Sequence, residues 1–159
     1  MDDDLKELML KCLEVEKKVV EDELDEYGCA IAIIICPTGR HVEHVQFADE
    51  DEKIAAYSAV VKTAKELDAT AIVTVNAART GKSEADKDIE GYWWGKLAAE
   101  GARECISITA SGPGMRSFGL TLGYEIVGQK VVFDATPELE ETEVGMLPDW
   151  PVHKSGIVH

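Results

Sequence analysis

The chain has 159 residues, 45% of them hydrophobic, and a formal net charge of −15. That length suits one domain with a real core, and the composition is that of a globular chain and not a disordered one. The acidity repels nucleic-acid backbone and anionic membrane, so neither is an expected partner.

The charge is unevenly spread. Residues 1–26 carry a net −7 and residues 134–149 a net −6, while residues 27–133 carry only −3. The N-terminal MDDDLKELML is acidic where a secretory signal would be basic, and the longest apolar run, CAIAIIIC, is too short to cross a bilayer. A cytoplasmic protein is expected. The four cysteines, Cys12, Cys29, Cys36 and Cys105, form no C-x-x-C pair. Neither a disulfide nor a zinc site is expected from them, and no cofactor is implied.

The first predicted element is a helix over residues 4–26. Leu5, Leu8, Met9, Cys12, Leu13, Val19, Val20 and Leu24 recur at helical spacing, and Gly28 ends the pattern. Residues 29–36 are apolar at both parities, which predicts a central strand covered on both faces. Pro37, Thr38, Gly39 and Arg40 make a turn into a second strand near 41–47. Asp49 and Glu52 have capping-box spacing before a helix that presents Ile54, Tyr57, Val60, Val61, Ala64 and Leu67 on one side. A third strand is expected over 70–76. Residues 77–102 support either a loop or a glycine-weakened helix. Strands follow near 103–110, 118–127 and 130–135, the last two joined by a Gly128-Gln129 turn.

The predicted fold is α+β, in the order α-β-β-α-β-(α)-β-β-β. One mixed or mainly antiparallel sheet of five to six strands is packed by two or three helices. Residues 1–135 are read as the globular domain and 136–159 as an acidic, proline-punctuated extension.

The sharpest motif lies at residues 76–83, NAARTGKS. A phosphate-binding loop reads G-x-x-x-x-G-K-[ST], because backbone N–H groups cradle the phosphates and the lysine reaches their oxygens. Gly81, Lys82 and Ser83 match, and Asn76 replaces the first glycine. The mid-chain position, the acids after Ser83 and the antiparallel pattern of the later strands all argue against a nucleotide-hydrolysing fold. The same loop cations suggest a simpler anion site. Arg79, Gly81, Lys82 and Ser83 follow the third strand and Arg116 follows the fourth, so parallel neighbours would bring both loops to one end of the sheet.

His41 and His44 are three apart, which puts them on opposite faces of a strand and excludes joint chelation there. HVE at 41–43 has the H-x-E spacing of zinc deaminases, but the P-C-x-x-C partner is absent. No residue pattern assigns a catalytic group. Two aromatic or apolar segments are candidate interfaces, Tyr92, Trp93 and Trp94 in the first, and Met146, Leu147 and Trp150 in the second. The leading expectation is a non-catalytic binding or assembly module that self-associates, with a dimer favoured. The alternative is a binder of, or enzyme for, a small phosphate or carboxylate anion.

Overall fold

The computed structural model describes residues 3–23, 28–46, 50–78, 104–142, 147 and 150. In chain order these form α1 (Asp3–Glu23), β1 (Gly28–Cys36), β2 (Gly39–His44), α2 (Glu50–Glu66), β3 (Ala71–Ala78), β4 (Glu104–Ser111), β5 (Ser117–Val127), β6 (Lys130–Phe133) and β7 (Glu138–Thr142). The strands make one sheet ordered β2-β1-β3-β4-β5-β6, with β7 also paired to β5. Each pairing among these strands is antiparallel. The fold is α+β with a single antiparallel sheet, as the sequence pattern predicts.

One helix lies on each face of the sheet, and strand parity explains why. The odd residues of β1 and β3 and the even residues of β4 and β5 join α1 in one core. That core holds Ile33, Val73, Val75, Ile106, Ile108, Leu120, Leu122 and Tyr124 against Leu5, Leu8, Met9, Leu13 and Val20. Residues of the opposite parity, Ala32, Ile34 and Ile72, pack under Tyr57, Val60, Val61 and Ala64 of α2. The two-faced apolar character of residues 29–36 is therefore real, with its faces served by different helices.

β5 is long enough to hold two edge partners in succession. Residues 117–121 pair with β7 and residues 124–127 with β6. Gly128 closes the β5–β6 hairpin with φ 66°, a conformation that favours glycine.

The sheet continues past residue 135. β7 belongs to the sheet, and Leu147 and Trp150 are buried in the α2-side core. The sequence ELEET concealed this strand because its one apolar residue, Leu139, stays exposed at an edge. The capping residue Asp49 lies outside the described residues.

Candidate functional site

The structure bears on the phosphate-loop reading at its first position. Asn76 lies within β3, paired with Ala30 on one side and Ser107 on the other. Residues 77 and 78 continue the same ladder, opposite Ile106 and Cys105. Three of the eight positions that should curl round a phosphate are therefore extended strand. Asn76 also spends its amide inside the fold, donating Nδ2–H to the Tyr57 hydroxyl at 3.1 Å.

The convergence of two loops required β3 and β4 to run parallel, and they are antiparallel. β3 ends at Ala78 beside Cys105, whereas the turn carrying Arg116 follows Ser111, which sits opposite Ile72. At about 3.4 Å per residue these strand ends are roughly 20 Å apart. Arg116 is bound at its own end by Glu141 of β7, Nε to Oε1 3.1 Å. Arg79, Gly81, Lys82 and Ser83 lie outside the described residues, as do Tyr92, Trp93, Trp94 and Met146.

The two described residues of the tail segment do not form a surface. Leu147 and Trp150 are buried against the sheet and α2. The Trp150 indole donates Nε1–H to the Ser111 carbonyl at 2.9 Å, so its polar edge is satisfied internally.

A concave site does exist on the α1 side, at the end of the sheet where β1 turns into β2. It is a cleft of about 340 Å³ lined by Asp4, Leu5 and Leu8 of α1, Ile35, Arg40, Thr70, Ala71 and Met115. The register explains how these residues meet. Arg40 stands opposite Ile35, and Ile35 stands opposite Ala71. Thr70 is fixed beneath them, with its backbone N–H on the Ile35 carbonyl at 2.8 Å and its hydroxyl donating to the same oxygen at 3.4 Å. Met115 enters from the turn after β4, whose backbone closes through Met115 N–H to the Gly112 carbonyl at 3.3 Å.

The walls are mainly aliphatic, and the one cation among the described lining residues is Arg40. It forms no ion pair among the described residues. Asp4 has an interaction of its own. The Arg40 charge is felt at α1. Burial, then the carboxylate of Glu16, push the Cys12 thiol above its ordinary pKa, and Arg40 acts in the opposite sense. An aliphatic cleft of this size with one guanidinium suits a small molecule that has an apolar body and a single anionic group.

A second feature is a polar seam under α2. Lys53 is 0% exposed. One turn later comes buried Tyr57, which holds Asn76. The same sheet face continues as Thr74, Ser107, Thr109, Ser111, Ser117 and Thr121, all buried. Thr74 and Thr109 are cross-strand partners whose hydroxyls bond each other. Alternation in SITAS and GLTLG signals this face, small and hydroxylated residues at one parity against large apolar ones at the other. Lys53 has a partner, as a buried ammonium requires. The seam fixes how α2 sits on β3. Tyr57→Phe is expected to cost about 1–3 kcal/mol by leaving the Asn76 amide short of an acceptor, read from the midpoint of urea unfolding.

Comparison with protein-family models, with characterised proteins and with solved structures found no match. Among the described residues no helix is long and apolar enough to cross a membrane. No group of three or more His, Cys, Asp or Glu among them is placed to hold a metal ion. His41 and His44 sit on opposite faces of β2, opposite Ile34 and Ile31 respectively.

Proposed function

We propose that the protein binds a small carboxylate with an apolar body, and that Arg40 holds the carboxylate in the cleft between α1 and the β1–β2 turn. The carrying observation is a guanidinium with no ion pair among the described residues, lining an otherwise mainly aliphatic cleft of about 340 Å³ in a chain of net charge −15. A carboxylate is favoured over phosphate because the described walls offer Leu5, Leu8, Ile35, Ala71 and Met115 and, among the described residues, one cation. A doubly charged anion needs more donors than that. No described group in the cleft has the arrangement of a nucleophile and its base, so the reading is binding without chemistry.

A ligand of about ten heavy atoms in such a site binds at roughly millimolar strength, which suits NMR titration. Hexanoate and octanoate are expected to shift backbone resonances of residues 4–8, 35–40, 70–71 and 115. The matching alcohols are expected to bind at least about tenfold more weakly. Arg40→Gln should abolish that preference without changing the fold. Carboxylates that shift none of these resonances would remove the reading. Inorganic phosphate and the Lys82→Ala variant belong in the same titration. A phosphate response that depends on Lys82 would transfer anion binding to residues 79–83.

A further inference from the structure

β2 is the outermost strand on its side of the described sheet. Its sequence, GRHVEH, is exposed along almost all of its length. Val45 donates its backbone N–H to the Ala30 carbonyl at 2.8 Å. Residues of an antiparallel strand alternate between bonding to one neighbour and to the other. Those of Val45 parity bond to β1, so Arg40, Val42 and His44 direct their N–H and C=O groups away from the sheet. Proteins usually blunt such an edge with Lys, Pro or a bulge. Here there is no Lys or Pro, and the β1–β2 register runs unbroken from Cys36–Gly39 to Ile31–His44.

We propose that two copies of the chain pair through this edge, antiparallel about Val42, and so form one continuous sheet. The strand is self-complementary in that register. Val42 meets Val42 of the second copy, His41 faces its Glu43, and Glu43 faces its His41. His41 and Glu43 already attract within one chain, Nε2 to Oε1 3.0 Å. Arg40 then falls opposite His44 of the second copy, whereas moving the centre two residues towards the turn sets Arg40 against Arg40, and like charges directly opposite destabilise a pair. Val42 is 55% exposed and lies opposite Ile33, with Ile31 and Ile35 only half-buried on the same face. The second hairpin would shield that apolar strip. This inference goes beyond the ligand reading and does not depend on it, because it rests on the backbone edge of β2 and on His41 and Glu43, neither of which lines the cleft on the α1 side.

Sedimentation across a concentration series tests the pairing. The net charge of −15 on each copy opposes association at low salt, so physiological ionic strength is held throughout. The wild type is expected to form a concentration-dependent dimer. Glu43→Lys sets a cation against each His41 and should weaken the dimer about tenfold or more. His41→Glu together with Glu43→Lys restores opposite charges at both positions and should recover it. Val42→Pro removes an outward N–H without costing a bond to β1, and should give a folded monomer. A wild type that stays monomeric at every concentration overturns the proposal. So does a dimer that Glu43→Lys and Val42→Pro leave unchanged.

Discussion

Trp150→Ala is expected to destabilise the protein by about 3–5 kcal/mol, the usual cost of deleting a large buried aromatic side chain. Trp150 is 5% exposed and belongs to the α2-side core with Leu147, Ile72 and Tyr57. Its removal opens a cavity there and takes the indole N–H from the Ser111 carbonyl. For a chain of this size the loss corresponds to a fall in Tm of roughly 10 °C. Trp150→Phe keeps most of the packing and loses the hydrogen bond, so it should fall between alanine and wild type. An interface role would give a different pattern, with unchanged monomer stability and a change only in the sedimentation coefficient. The same reasoning applies to a chain cut before Met146. It should unfold more easily, because it lacks both Leu147 and Trp150.

The tail illustrates what pattern-reading can and cannot extract. Periodicity located α1, α2 and the strands from β1 to β6 because each has one apolar side that must be buried. Phe118, Leu120, Leu122 and Tyr124 alternate strictly, and all four are buried on the α1 side. Residues 138–142 carry a weak apolar signal because β7 lies at an edge, where burial is not demanded. Trp150 looked like a surface anchor because no periodic run surrounds it. Its burial depends on a contact with Ser111, 39 residues away, which local spacing does not encode.

The candidate site was less legible for a related reason. Arg40 follows Pro37-Thr38-Gly39 and reads locally as a turn residue. Its place in a cleft follows from the Ile35–Arg40 and Ile35–Ala71 pairings, and thus from sheet order. The GKS motif had the opposite fault. Its letters were local and conspicuous, but the meaning of Asn76 depended on the ladder it sits in. Asn76 is bonded to Tyr57 across 19 residues of sequence. Single-strand alternation could show that Thr74 and Thr109 share a parity with other small polar residues. It could not show that they are partners.

Gly112→Ala should be the most damaging change in the turn that brings Met115 to the cleft. A β-carbon at Gly112 would run into the Thr70 carbonyl oxygen and stand 3.0 Å from the Ala71 Cα. Both obstacles are backbone, held by the β1–β3 ladder and by the Thr70 N–H bond to Ile35. They cannot swing aside as a flexible side chain would, so the turn itself must move. The expected cost is about 3 kcal/mol, the upper end of ordinary overpacking. Gly114 provides the comparison. It has φ 75° and open space where a β-carbon would stand, so Gly114→Ala meets strain without a clash and should cost about 1 kcal/mol. Urea midpoints for the two variants should therefore rank Gly112 well below Gly114. Equal midpoints would show that the turn yields freely and that Thr70 does not fix it. The same pair of variants connects fold to site. Moving the turn in Gly112→Ala withdraws Met115 from the cleft and should weaken octanoate binding in whatever fraction stays folded. Gly114→Ala leaves the contact with Thr70 intact and should bind octanoate as the wild type does.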